Sequence, residues 1–406
     1  MNLMSSIYSI IQQNPFTLFA LTLLLGLIGG DIARRIPFIP KISGYMLIGF
    51  VIGPHVLDLV EPTLLSQSAL FIDTCLGLIM FELGRHLDIS WLRHDKGLFF
   101  MALFEPFCTF SATFILLILL KFSFLSASVI AVLSIATSPA VVMMVANDLS
   151  AEGAVTRRTL LLTSSNNFIC LLLFIFILPM TEHFLHLQSM TITHSFYQIF
   201  GSALLGGLIF ILAKIAICLL GKHRESQFVL YVSTVILTIS LANTYALSAS
   251  LSLLVYGFAA RNLDRQQSLM EIDFGWFGRM FFIILFVITG VTLQLSSLKM
   301  LALTIFGILC ARLVSKCIAI AMFAKISNLS KIQSLSTSLA LYPMGGIAIG
   351  MASVLGISNR ELGADIFPVI SCLVAVLNIL GPIATQFAFI QAKEALIDGP
   401  RLRDGL

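Results

Sequence analysis

Charge is what this sequence has least of. Only 11% of its 406 residues are charged, where a soluble domain carries roughly 25%, so an ordinary soluble domain is excluded. No Ser/His/Asp, metal or phosphate-loop constellation appears, and the seven histidines fall mainly in loops and at the ends of apolar stretches. Neither an enzyme nor a cofactor is expected. The seven cysteines (Cys75, Cys108, Cys170, Cys218, Cys310, Cys317 and Cys372) lie within apolar stretches and form no CxxC pair. They read as buried small hydrophobes rather than a redox or metal site. After residue 392 only the stretch 393–406 remains, a short tail with no room for a nucleotide-binding or regulatory domain.

What is present is apolar surface in long runs. The chain is 58% hydrophobic, with a mean hydropathy of +1.01. Stretches long enough to cross a bilayer recur from end to end. Thirteen are expected as helices: 14–31, 39–57, 66–84, 97–120, 124–146, 158–179, 196–220, 227–243, 247–260, 272–293, 299–324, 331–356 and 365–392. The ninth is short and reads as a tilted or re-entrant element. The first follows Gln12-Gln13-Asn14-Pro15 without a basic n-region or a small-residue cleavage site, so it reads as a retained helix. The fold class is an all-α membrane protein.

Lys and Arg set the orientation. Seventeen fall in loops on one side, from Arg34 to Arg403, and three (Lys121, Lys299 and Arg360) on the other. The positive-inside rule then puts the N-terminus outside and the C-terminus in the cytoplasm, consistent with an odd number of spans. The net charge of +4 reflects this topology and gives no hint of nucleic-acid binding.

Two spans are interrupted: the fifth by Ile135-Ala-Thr-Ser-Pro-Ala140, the twelfth by Leu341-Tyr-Pro-Met-Gly-Gly346. Breaks in lipid are tolerated where the freed backbone lines a cavity or finds partners inside the protein. With the seventh span (196–220) as a linker, each break is the fifth span of a six-helix unit, 14–180 and 227–392. The odd linker makes the two units enter the membrane from opposite sides, the inverted-repeat arrangement of many secondary transporters, with a site near the midplane.

Around the breaks lie the candidate site residues. Pro139 suits the first position of a new half-helix, capped by Thr137 or Ser138. The half-helix ends then offer a partial positive charge on one side and free carbonyls on the other, which with these hydroxyls could coordinate a dehydrated cation. A simple proline kink is the plainer alternative. Pro343, Gly345 and Gly346 form the second break, and Tyr342 beside them is a further candidate ligand. The sixth span carries Thr163-Ser-Ser-Asn-Asn167, polar residues that must face other helices; Thr163, Asn166 and Asn167 are candidate ion or substrate ligands. Lys316, one helical turn from Arg312 on the same face of the eleventh span, is the first candidate proton carrier. Both cations could equally neutralise the C-terminal ends of the half-helices. Glu82 is placed for an intrahelical pair with Arg85 at the mouth of a funnel. Glu105, before Pro106, could supply a proton or a cation ligand from a neighbouring helix, or be a structural, hydrogen-bonded acid. Asp148 is expected to sit in a solvated helix cap.

Five stretches together resemble a known family. Ile42 to Leu57, Gly77 to Arg85, Ala136-Thr-Ser-Pro-Ala140, Ser315-Lys316 and Pro343-Met-Gly-Gly346 are similar to the monovalent cation:proton antiporter superfamily, in its bacterial sodium/proton and potassium/proton exchanger branch. The resemblance covers about residues 15–390. It implies a homodimeric exchanger of the bacterial inner membrane, with a dimerisation domain and a six-helix core domain that moves like an elevator, passing Na⁺ or K⁺ against protons. It also implies one or two Asp on the sixth span as the ion site, partnered by the lysine at the Lys316 position. This chain departs there, with Asn166 and Asn167. An amide oxygen can coordinate a cation, but an amide carries no exchangeable proton. Met344 also stands where many relatives have a basic residue. An uncoupled permease for anions or organic solutes, or a transport-inactive sensor, remains the alternative.

Overall fold

An apolar chain in lipid must satisfy its own backbone, and the helix does so within one segment. The computed structural model describes residues 15–36, 39–53, 56–59, 69–184, 192–220, 224–264, 275–291, 298–358 and 360–395. Sixteen helices are found among them. In order these are α1 (Pro15–Arg35), α2 (Lys41–Ile52), α3 (Ala69–Arg85), α4 (Ile89–His94), α5 (Lys96–Leu119), α6 (Phe124–Leu133), α7 (Pro139–Asp148) and α8 (Ala154–Phe184). They continue with α9 (Ile192–Leu220), α10 (Arg224–Thr244), α11 (Ala249–Asn262), α12 (Gly275–Val291), α13 (Leu298–Ala324), α14 (Lys331–Ala340), α15 (Gly346–Ser358) and α16 (Arg360–Gln391). Six are long and apolar enough to cross a membrane: α5, α8, α9, α10, α13 and α16.

The predicted fifth and twelfth segments are each two helices, α6–α7 and α14–α15, parted by short non-helical stretches. The short α4 was not expected. The sixth segment is longer than expected, beginning at Ala154 rather than 158.

The helices pack chiefly within two groups. One holds α1–α3 and α9–α12. The other holds α5–α8 and α13–α16. Within the first, α3 and α11 approach at paired glycines. A Cβ on Gly257 would run into the Phe81 carbonyl, and one on Gly84 into the Leu254 carbonyl, the close backbone contact that small residues permit between membrane helices. Phe81 packs there on Tyr256 and Tyr231, with ring centroids 4.3 Å and 5.3 Å apart. In the second group, residues of α6, α15 and α16 such as Ile130, Ala352 and Leu373 form a continuous buried core.

Polar caps hold the ends of the second group together. Asp95 caps α5 through Leu98 N–H, and Ser330 and Gln333 form a reciprocal capping box on α14. The α8 N-terminus is capped by a residue far away in sequence. Glu394, just past α16, accepts from Val155 N–H and Thr156 N–H at 2.7 Å each, and from the Thr156 hydroxyl at 2.9 Å.

The cysteines need one correction. Cys75, Cys170 and Cys372 are buried, but Cys218 and Cys310 lie on exposed helix faces. In lipid an outward face is as apolar as a core, so hydropathy does not distinguish the two.

Candidate functional site

The two breaks meet. Ser138 is the N-cap of α7 with Pro139 at its first turn, and its hydroxyl accepts from Val141 N–H at 3.4 Å. Ser138 N–H in turn donates to the Pro343 carbonyl at 2.9 Å. The Thr137 hydroxyl donates to the Leu341 carbonyl at 3.4 Å. Gly345 lies so close that a Cβ there would come within 2.6 Å of Ser138 Oγ, and α15 starts one residue later at Gly346. Beside the breaks is a mainly apolar cavity of about 240 Å³, lined by Ser138, Pro139, Gly345 and Asn378 together with residues of α3 and α12.

Arg312 closes the carboxyl side of both breaks. It is fully buried, and its Nη2 donates to the Ala136 carbonyl and the Tyr342 carbonyl, each at 3.3 Å. One guanidinium thus serves the carbonyl-rich ends of α6 and α14, where a positive charge is favoured. Of the two cations expected at these ends, Arg312 donates to their carbonyls. The Lys316 Nζ donates instead to Glu105 Oε1 on α5. Both side chains of that pair are inaccessible to solvent. Glu105 Oε1 also accepts from the Thr109 hydroxyl at 3.1 Å, and Thr109 is 3.2 Å from the Ser315 hydroxyl.

A proline frees a backbone acceptor near this pair. Pro106 has no N–H to give to the carbonyl four residues back, and that carbonyl, Ala102 O, accepts the Ser165 hydroxyl of α8 at 3.3 Å. This hydrogen bond ties α8 to α5 one turn from Glu105.

Asn166 and Asn167 are fully buried against the first break. Asn166 Nδ2 donates to Thr137 Oγ1 at 3.3 Å. Asn167 Nδ2 donates to the Thr137 carbonyl at 2.7 Å and to the Thr163 carbonyl at 2.8 Å. With the amide N–H groups so used, both Oδ1 atoms accept no hydrogen bond among the described residues, and neither Thr163 Oγ1 nor Glu105 Oε2 has a partner there. Four buried oxygens thus keep free lone pairs, the kind of donor a desolvated cation takes. Tyr342 is less available than expected: its hydroxyl donates to the Leu309 carbonyl at 3.2 Å.

Glu82 and Arg85 pair at 3.6 Å. They line a cavity of about 480 Å³ with His86, Asp88 and Arg261 on one side and residues 151–161 on the other. Glu82 is therefore apart from the breaks, on the wall of this second cavity. Asp148 is not in a solvated cap but 2.6 Å from Lys41.

A multi-helix membrane protein with two broken helices meeting at a buried polar centre is the class these features define. The chain belongs to the sodium/hydrogen exchanger transmembrane family, which matches residues 19–391. In fold it is similar to the sodium proton antiporter MjNhaP1 of Methanocaldococcus jannaschii. Its structure at pH 8 aligns with a TM-score of 0.63 at 17% identity, over 93% of this chain and 95% of that one. An electron-microscopy structure of the same antiporter aligns with a TM-score of 0.72 at 18% identity, over 97% and 98%. No curated protein matches the sequence.

Proposed function

We propose that the protein exchanges a monovalent cation, Na⁺ or K⁺, for protons by alternating access, with the buried cluster of Thr137, Thr163, Asn166 and Asn167 as the ion site. In this reading the helices make thirteen crossings in two inverted repeats. The group holding α5–α8 and α13–α16 is the moving six-span core, and the other group forms the dimer. The protein sits in the bacterial inner membrane with its N-terminus outside. Two observations support the reading: Lys316 is bonded to Glu105, and the Asn166 and Asn167 oxygens, bound through their amides to the first break, accept no hydrogen bond among the described residues.

The coupling follows from the chemistry of these groups. The two amides bind but carry no proton, so the proton resides in the Lys316–Glu105 pair. A cation arriving at the Asn oxygens competes with the Lys316 ammonium for Glu105, and Lys316 gives up its proton as the cation takes its place. Glu105 on α5 thereby takes the part that the family resemblance gives to an aspartate on the sixth span. The anion-permease reading is less well supported. It needs two uncompensated cations, whereas Glu105 cancels Lys316 and only Arg312, on its two carbonyls, keeps an uncancelled charge.

The test is purified protein in proteoliposomes with an internal pH dye, challenged in turn with Na⁺, K⁺, Li⁺ and anions. The expected result is cation-dependent dissipation of an imposed pH gradient, lost in Lys316→Ala. No response to any cation from folded wild-type protein would falsify the exchange reading.

A further inference from the structure

Seven ion pairs join described residues, and six lie within one or other helix group or beside it. The seventh crosses between the groups. Lys41 Nζ, on the first residue of α2, is 2.6 Å from Asp148 Oδ1, on the last residue of α7. Each charge stands at the wrong end of its own helix. A lysine at a helix N-terminus and an aspartate at a C-terminus are both opposed by the macrodipole. Neither is placed to serve the helix that bears it, and each is compensated by the other across the boundary.

The surroundings make this contact mechanical. Three residues beyond Asp148, the chain forms one wall of the 480 Å³ cavity at Ala151, Glu152 and Gly153. The opposite wall is Glu82, Arg85 and Asp88 of the other group. On this face the α5–α8 and α13–α16 group is stapled internally. Arg158 bridges Asp95 and Ser327, and Glu394 holds the α8 N-terminus. Among the described residues, the polar ties across the boundary near the cavity include the Lys41–Asp148 pair and the Ser164 hydroxyl on the Leu83 carbonyl at 2.7 Å. A group stapled within itself, and meeting its neighbour there mainly through apolar side chains such as Met46, Leu83 and Val145, slides as a unit once the polar ties release.

We propose that the Lys41–Asp148 pair is a latch, holding the mobile helix group in the state with this cavity open and parting in each transport cycle. The proposal rests on the alternating-access reading given above. Its test compares Lys41→Gln, Asp148→Asn, their double variant and the charge swap Lys41→Asp with Asp148→Lys, each in the full chain in proteoliposomes. A latch predicts that each neutral variant speeds exchange about two- to five-fold, the range of a partly buried ion pair. The double is then no faster than either single, because both remove one contact, and the swap returns to the wild-type rate. Rates that multiply in the double variant, or a swap as fast as the neutral double, overturn the proposal. Wild-type protein that exchanges no cation defeats the exchange reading instead, and thermal unfolding then decides only whether the two charges form one tie between the groups, which a latch requires. Two independent surface charges would each raise the melting temperature when neutralised, by relief of the dipole, and their effects would add. A latch lowers it in both singles, with no further loss in the double, and additive gains overturn it.

Discussion

Removing Glu105 tests the proposed coupling and the packing together. Glu105→Gln keeps the size of the side chain and leaves an oxygen for the Thr109 hydroxyl, but takes away the charge that Lys316 faces. Lys316 is fully buried and has no second acceptor described at its Nζ. Breaking one side of a buried ion pair costs about 3–5 kcal/mol, against a total stability of about 5–15 kcal/mol for a typical domain. Lys316→Met breaks the pair from the other side at similar cost. The double variant removes both charges, and a buried pair replaced by neutral groups of similar volume is near neutral or even stabilising. Thermal unfolding in detergent should therefore show two strongly destabilised singles and a double within about 1 kcal/mol of wild type. Exchange in proteoliposomes should be lost in all three. Two outcomes refute the reasoning. Singles as stable as wild type would mean that the two groups do not depend on each other. A stable double that still exchanges would put the proton elsewhere.

Two further perturbations bear on neighbouring parts. Asn167→Asp turns the amide that donates to the Thr137 and Thr163 carbonyls into a carboxylate facing two acceptors. In choline buffer it should lose about 2–3 kcal/mol, and Na⁺ or K⁺ should restore its melting temperature more than that of wild type; an equal shift in both proteins counts against a cation site there. At the membrane edge, burial pushes the Asp95 carboxyl up. The Ser327 hydroxyl, Leu98 N–H and Arg158 more than offset this and hold it below the usual carboxylate range. Its stabilising effect is therefore present above about pH 4, the unfolded value, and is lost as pH falls through the lower folded value. Asp95→Asn should cost about 1 kcal/mol at pH 7, and the difference should close in acid; a difference independent of pH would rule out the charge as its source.

Much of the site is legible in the sequence because it is local. Pro139 after Ser138 reads as a helix start wherever it falls, since the capping hydroxyl and the missing N–H are properties of those residues. Glu82 and Arg85 are three apart on a helix and can meet without help from the fold. Arg312 could be expected at the half-helix ends because broken helices expose carbonyls. What fails to show is tertiary. Lys316 and Glu105 are 211 residues apart, and Lys41 and Asp148 are 107 apart. Nothing in spacing or composition chooses Glu105 over the ends of the half-helices as the lysine's partner. Hydropathy likewise reports that α9 and α13 are apolar without saying which face meets lipid, so Cys218 and Cys310 read as buried and are not. The six-residue α4 is too short to show a period.

Moving the carboxylate from the sixth span to α5 has a consequence for stoichiometry. Among the described residues, the buried charges at the breaks are Arg312, Lys316 and Glu105. In the proposed cycle Arg312 stays bound to the two break carbonyls and keeps its charge throughout. With the cation absent, Lys316 and Glu105 cancel. With it present, the cation replaces the lysine's proton and cancels Glu105 in its turn. The moving group then carries the same net charge in both loaded states, so exchange is one cation for one proton and electroneutral. A second carboxylate on the sixth span would break this balance, and Asn166 and Asn167 withhold it. The membrane potential measures the difference directly, because moving one unbalanced charge through 100 mV is worth about 2.3 kcal/mol. Proteoliposomes with equal K⁺ on both sides, a thiocyanate gradient setting the potential, and assayed with Na⁺, should exchange at the same rate at either polarity. A rate that changes several-fold on reversing the potential would require a second proton or an uncompensated cation, and with it a titrating group other than the Lys316–Glu105 pair.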